Sequence, residues 1–269
     1  MKILNQEQVN EIVSEHKLWL RGRRDAKCAD LSYARLAYID LSGVNLSHAN
    51  LKGVSLRHAN LSYSDFVEAN LEDADLSRAD LRCSDFEYAN LSGANLVDSN
   101  LKFANLSHTN LDSASLMRTD LTNADLTRAN LRNANLRDTI LRGASLIGAN
   151  LEDVITNMCT VGYNLACPEE GSFIGYKKAS GLIIKLLIPD DAKRCSATTM
   201  KCRCNKAIVL EIEDIYTGKK VDYVRSDYDK DFVYTAGETV YVDNFDEDRW
   251  HECSNGIHFF MNKANAIKY

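Results

Sequence analysis

The chain has 269 residues, enough for two domains, with 45% apolar residues, two prolines and a formal charge of −6. An acidic globular chain of this kind lacks the excess cations that general nucleic-acid binding needs, and no apolar run reaches the length of a membrane span. Met1-Lys2-Ile3-Leu4, followed by Asn5-Gln6-Glu7-Gln8, lacks the apolar core of a signal peptide, so a cytoplasmic setting is expected, with the eight cysteines as thiols or ligands rather than disulfides.

Residues 5 to 21 read as an amphipathic helix. Asn5 and Gln8 have capping-box spacing, and Val9, Ile12, Val13, His16 and Leu20 recur on one helical face.

From Leu31 to Leu151 every fifth residue is Leu or Phe, twenty-five positions in succession without insertion or deletion. A step of five advances a helix by about 500°, which scatters these side chains around the axis, and it also misses the alternation of a strand. The period therefore belongs to a repeating turn of chain. Each unit reads small, polar, Leu, x, x, as in Ala49-Asn50-Leu51-Lys52-Gly53 or Ala129-Asn130-Leu131-Arg132-Asn133. Two before the centre stands Ala sixteen times, Ser or Thr six times, and Ile39, Val44 or Val54; just before the centre stands Asn twelve times and Asp eight times. Asn and Asp tolerate tight turns and hydrogen-bond their own backbone, so the chain is expected to turn once per unit.

This A(D/N)LXX pattern resembles the pentapeptide-repeat family over about half the chain. The resemblance implies a mainly β fold: a right-handed quadrilateral β-helix with four pentapeptides to a coil. An open end of such an array exposes unpaired backbone, so the N-terminal helix is expected to cap it, with a partner-binding role as the alternative. Twenty residues per coil predicts that Phe66 stacks on Phe86, between Leu46 and Leu106, with Ser64 and Ser84 leaving room for the rings. Tyr63, Cys83 and Phe103 share an outward column, an apolar stripe expected to meet the C-terminal domain or another protomer.

After Val154 the beat stops. Runs at 182–188, 207–212, 232–234, 239–242 and 257–261 read as strands, and 262–269 as a short closing helix, together a small α+β domain. The expected organisation is a capping helix at 1–28, a repeat β-helix at 29–156 and an α+β domain at 157–269. Through CPEEGSFIGYKK from Cys167, KCRC from Lys201 and WHECSNGIHFF from Trp250, this last segment resembles a domain of unknown function that follows pentapeptide repeats in bacterial and phage proteins. That resemblance implies an architecture, not an activity.

Cys195, Cys202, Cys204, His251, Cys253 and His258 contain the ligand types of a structural zinc, but Cys202-x-Cys204 is not the paired spacing of a zinc ribbon. Cys253 with His251 or His258 has the residue types of a nucleophile and its base, although closeness in sequence is weak support for that geometry. His258 reads more simply as a satisfied histidine on a buried strand. No catalytic, cofactor-binding or metal-binding residue is assigned, and no cofactor is expected.

Family resemblance also brings in DNA mimicry, because quinolone-resistance members resemble acidic duplex DNA and engage gyrase. Residues 29 to 155 hold 17 acids and 11 bases, but eight of the acids occupy the turn position, leaving 9 against 10 at the variable positions. A continuous negative face is not expected. Arg57, Arg78, Arg118 and Arg137 share a side with Asp98 and Asp138, a mixed face poorly suited to nucleic acid. The expected function is a non-enzymatic scaffold or protein-interaction protein with a protein partner, no nucleic acid and no membrane, and with homo-oligomerisation open. The alternatives are an enzyme with its site in the C-terminal domain, to be tested first at Cys253 and His258, and a DNA mimic that inhibits or protects a type II topoisomerase.

Overall fold

A computed structural model describes every residue except Met1, Asn164 and Glu252. Met1 of the N-terminal stretch and Glu252 of the WHECSNGIHFF run thus lie outside the described residues. The chain forms two compact units, a repeat domain at Met1–Val161 and a sheet domain at Gly162–Tyr269.

The repeat domain opens with α1 (Gln6–Leu20), started by the expected capping box: Asn5 Oδ1 accepts the Gln8 N–H, and Gln8 Oε1 accepts the Asn5 N–H. The helix buries Val9 and His16. Backbone groups at the start of the repeats find partners in this N-terminal segment. His16 Nδ1 accepts the Ala29 N–H at 3.1 Å, Gln6 bonds both the N–H and the C=O of Asp40, and the Lys2 carbonyl accepts the Arg35 N–H.

Parallel bridges then join residues twenty apart, from Asp30 with Asn50 to Asn135 with Ile155. Successive twenty-residue layers stack with every N–H of a unit accounted for. In the unit Ala49 to Gly53, the Ala49 N–H closes a turn onto the Leu46 carbonyl, and the Asn50 N–H reaches Ala29 in the layer before. The Leu51 and Gly53 N–H groups reach Asn70 and Glu72 in the layer after. The Lys52 N–H remains, and Asn50 Oδ1 accepts it. All twenty Asn and Asp residues before a central Leu or Phe make this bond to the N–H two residues on. The polar position is occupied this way because a buried orphan N–H is costly.

The left-handed backbone does not fall on the Asn and Asp residues of the polar position themselves. It falls two residues after the centre in all twenty-five units, from Tyr33 to Asp153, and only five of those residues are glycine. A single left-handed residue at the third position of a hydrogen-bonded Leu-x-x-Ala turn is the type II geometry. Stacked layers impose that geometry even on Tyr and Phe.

Inside, the central Leu and Phe column is buried from Leu31 to Leu146, and Leu151 at its end is half-buried. Phe66 and Phe86 stack as predicted, ring centroids 4.9 Å apart and 7° from parallel. Inward hydroxyls of Ser64, Ser84 and Thr109 donate to the carbonyls of Leu41, Leu81 and Phe86, so small polar residues enter the interior without an unpaired group. The last bridge joins Ile140 to Val161, one residue more than the regular spacing, where the five-residue beat ends.

The sheet domain contains β1 (Phe173–Ala179), β2 (Leu182–Ile188), β3 (Arg194–Ser196), β4 (Lys201–Cys204), β5 (Lys206–Asp214), β6 (Tyr223–Arg225), β7 (Val233–Thr235), β8 (Thr239–Tyr241), β9 (Ile257–Phe260) and α2 (Lys263–Lys268). Seven strands form an antiparallel sheet in the order β3-β4-β9-β1-β2-β5-β8, while β6 and β7 pair separately. The apolar runs at 182–188 and 207–212 are β2 and the centre of β5. The run at 232–234 is displaced by one residue to β7, and Asn262 caps α2 by accepting the Ala264 N–H. Late in sequence, β9 inserts between β4 and β1. Gly175 on β1 makes room for it: a Cβ there would sit 2.6 Å from the Phe259 ring.

Candidate functional site

Strand alternation divides the KCRC segment into two faces. By register, Cys202 lies opposite Phe259 and Cys204 opposite Ile257, and all four are in the hydrophobic core. Arg203 lies opposite both His258 and Cys195, on the other face. The candidate metal set is therefore split across the sheet, with Cys202 and Cys204 on one side and Cys195 and His258 on the other. Among the described residues, no group of three or more His, Cys, Asp or Glu is placed to hold a metal ion. Burial pushes the Cys204 thiol well above its ordinary range, as expected for a small core residue.

Cys253 and His258 are not arranged as nucleophile and base. His258 Nε2 lies 2.9 Å from the Ser254 carbonyl, and burial holds the imidazole down to about 4, hence neutral near pH 7. Cys253 Sγ instead meets Lys201 Nζ at 3.4 Å. His251 is engaged elsewhere, its Nδ1 lying 3.0 Å from Asp246 Oδ2. Hydrogen bonds from Ser254 and His251 hold the Asp246 carboxyl down to about 2.

Arg203 organises this loop. Its guanidinium is fully buried and donates to the carbonyls of Asp246, Asn255 and Asp248 at 2.8 to 3.1 Å, beside the Phe245 ring. An arginine fork satisfied by three backbone carbonyls makes the loop a fixed wall.

That wall borders a cleft of about 790 Å3 within the sheet domain. Strands β1 and β9 share one paired position, Tyr176 with Phe260. The cleft is lined by Lys177 and Lys178, which follow that pair on β1, and by His258, which precedes it on β9, with Lys201 of β4 nearby. Lys201 is buried and also touches the Tyr269 hydroxyl at 3.4 Å. Lys177 stands over the Tyr234 ring at 5.8 Å. Burial lowers the Lys177 pKa, against the pull of Asp227, and Lys201 lowers it further. Neither lysine stood out in the sequence, because each becomes a cleft residue only through the splaying of strands distant in the chain.

On the repeat domain, Tyr63 and Phe103 are exposed by 70% and 60%, with Cys83 exposed between them. Tyr33, Tyr38 and Tyr88 are exposed too. All five aromatic residues occupy left-handed positions, where a bulky side chain costs about 1 kcal/mol more than glycine. Tyr38 stacks on His58 and Tyr88 on His108, and Tyr33 lies over Gly53, whereas no ring contact is made by Tyr63 or Phe103 among the described residues. From residue 113 onward the left-handed positions hold only Ser, Arg, Asn, Asp and Gly. Three of the four arginines on the shared face meet a carboxylate: Asp98 accepts two bonds from Arg118 and lies 3.5 Å from Arg78, and Arg57 lies 3.6 Å from Asp75.

The segments 27–62, 59–98, 79–116, 99–138 and 119–155 match the family described as Pentapeptide repeats (8 copies). Residues 163–266 match a Family of unknown function (DUF5758). No curated protein matches the chain. Among solved structures, it is similar to a pentapeptide repeat protein from the Arabidopsis thaliana thylakoid lumen, with 32% identity over 35% of this chain and 68% of that chain and a TM-score of 0.22. It is similar to Rfr23, a pentapeptide repeat protein from the cyanobacterium Cyanothece 51142, with 30% identity over 48% of this chain and 88% of that one and a TM-score of 0.21. QnrB1, a plasmid-mediated fluoroquinolone resistance protein, matches at 18% identity over 51% and 86% of the two chains with a TM-score of 0.21. No helix among the described residues is long and apolar enough to cross a membrane.

Proposed function

The chain belongs to the pentapeptide-repeat family and carries a domain of the family of unknown function behind its repeats, and from that premise we propose that it is a non-enzymatic interaction protein. Its repeats wind as a right-handed, four-sided β-helix capped by α1. That geometry is supported by the twenty-residue bridges and by the bonds from His16 and Gln6 to Ala29 and Asp40. Its contact surface is the Tyr63, Cys83, Phe103 column, and the partner is a protein. One observation carries this: aromatic rings are kept exposed at strained left-handed positions, where Asn or Gly would cost less. A desolvating partner offsets that strain with apolar burial. The cytoplasm is the proposed compartment, in keeping with eight cysteines held as free thiols.

Mimicry of DNA is the weaker reading. Eight of the seventeen acids in residues 29 to 155 stand at the turn position, where each accepts a neighbouring backbone N–H. Several accept an Asn amide from the adjoining layer as well, so this charge is tied into the stack.

Photo-crosslinking from Cys83 tests the proposal, with a benzophenone maleimide and the exposed Cys159 and Cys253 replaced by serine. A discrete crosslinked protein that is lost in Tyr63→Ser/Phe103→Ser and kept in Lys177→Met supports it. Absence of a crosslinked species, or one indifferent to the double substitution, overturns it.

A further inference from the structure

The first segment of the sheet domain brings a second thiol to Cys202. Ser196 pairs with Cys202 across β3 and β4, its hydroxyl oxygen accepts the Ala166 N–H at 2.7 Å, and its carbonyl accepts a bond from Arg249 Nε at 3.0 Å. Cys167 follows Ala166, packs in the same hydrophobic core as Cys202, and shares a thiol-to-thiol hydrogen bond with it. Beyond Cys167 the chain is held by Arg194, which donates to the carbonyls of Gly171, Pro189 and Asp190. Two cysteines far apart in the sequence are thus fixed side by side.

Their surroundings make them unequal. The bond from Cys202 lowers the Cys167 pKa most, and the positive charges of Arg194 and Arg249 lower it further against burial. Cys202 is pushed the other way by that same bond, by burial and by the thiols of Cys167, Cys195 and Cys204. The Met200 carbonyl lies 3.9 Å from Cys202 Sγ as well, but a thiolate is the stronger acceptor. Arg249 lies over the Trp250 ring at 4.4 Å, and its Nη2 is buried without a hydrogen-bond partner among the described residues. Glu169 also acts on this cation, from an exposed position. Access follows the same order: Cys202 has no exposed surface, whereas Cys167 keeps 4% and runs directly into the exposed residues 168–172.

We infer that Cys167 and Cys202 are a peroxide-responsive pair, Cys167 the attacking thiolate and Cys202 the resolving thiol, which closes to a reversible disulfide. In the first step the Cys167 sulfur attacks one oxygen of hydrogen peroxide. The O–O bond breaks, a sulfenic acid forms on Cys167, and hydroxide leaves to take a proton from water. In the second, the Cys202 sulfur attacks the sulfenic sulfur. The S–S bond forms, the S–O bond breaks, and the hydroxyl departs as water with the Cys202 proton. The two thiols give up two electrons, and peroxide is reduced to water. Burial selects the oxidant, because a molecule of two oxygen atoms reaches a sulfur that a bulky disulfide approaches poorly. Small thiols of a reducing compartment reopen the bond by exchange, so the link is transient there. Closed, it ties the start of the sheet domain to β4, independently of the contact column on the repeats.

The test uses the full reduced chain with the exposed Cys83, Cys159 and Cys253 replaced by serine, which leaves five thiols. About tenfold excess hydrogen peroxide removes two of them, and peptide mapping without reductant finds Cys167 joined to Cys202, a link that dithiothreitol reverses. Glutathione disulfide at equal concentration acts more slowly. In Cys202→Ala the reaction stops at the sulfenic acid, and dimedone labels Cys167; Cys167→Ala gives neither link nor label. Arg249→Met, with the melting transition retained, slows the reaction about threefold or more. Five thiols persisting in peroxide, a link between other cysteines, or glutathione disulfide outrunning peroxide overturns the inference. So does dimedone on Cys202 in Cys167→Ala.

Discussion

The two domains solve the backbone problem in opposite ways. In the repeat domain most N–H groups are satisfied within their own turn or one layer away, at recurring sequence offsets, and in twenty of the twenty-five units Asn or Asp closes the last gap locally. In the sheet domain the critical partners are remote: β9 lies between β4 and β1, and Arg203 reaches the carbonyls of Asp246, Asp248 and Asn255. Local closure yields a surface that can be varied freely at two positions in five. Remote closure yields a cleft that depends on a few indispensable residues.

If that contrast is right, a single substitution at Arg203 has one of the two largest effects. Arg203→Met leaves three carbonyls without their donor and is expected to cost on the order of 3 kcal/mol or more in the sheet domain. Urea unfolding with thiol labelling of Cys202 and Cys204 reads it. A repeat domain that melts along with the sheet would break the comparison.

In the repeat domain, Phe66→Ala opens a cavity and is expected to cost about 3 to 4 kcal/mol. A double-mutant cycle with Phe86→Ala should return a coupling of roughly 1 kcal/mol, the contribution of the stacked pair. Zero coupling would mean that the layer spacing, not the ring pair, sets stability there.

Acid sharpens the contrast through half-buried His258 and buried His16. The His258 pKa lies at about 4, below its ordinary 6.5, so the unfolded chain takes up the proton first. Stability is thus full above pH 6.5, falls as the pH drops from 6.5 to 4, and loses up to about 3 kcal/mol in that window. His258→Gln should remove this component from the measured pH profile of the sheet domain. His16, lowered mainly by burial, weakens the start of the repeats in the same direction, since protonation takes the Nδ1 lone pair from the Ala29 N–H.

Smaller effects test the local closure itself. Asn110→Ala strips the acceptor from the Asp112 N–H and two contacts to Asn90 and Asn130, and is expected to cost about 1 kcal/mol by thermal unfolding. Tyr63→Gly should do the reverse, adding about 0.5 to 1 kcal/mol by relieving a left-handed tyrosine while abolishing the Cys83 crosslink. A loss of stability in Tyr63→Gly would show that the ring is structural and would undercut its assignment as a contact.

Much of the repeat domain was legible in residues alone because its contacts recur at one offset. The stacking of Phe66 on Phe86 followed from their spacing, and the alignment of Tyr63 with Phe103 from the same count. The left-handed positions were not legible, since the residues two beyond the Leu or Phe are of many types and only the stacking bonds fix their backbone. In the sheet domain the apolar runs of β2 and β5 were visible, but β3, β4 and β6 are three or four residues long and gain strand character from their neighbours. Cys253 and His258, close in sequence, turn to different partners, while Lys177 and Lys201 come to one cleft from separate strands.

By itself, then, the sequence determined the layer period, the buried column and the chemistry of the outward columns, because a fixed offset turns position in the chain into position in space. Only the tertiary structure decided which face of β4 carries cysteine and which carries cation, and that Lys177 borders a cleft. Those outcomes depend on strand order and register between distant segments, which no local pattern encodes.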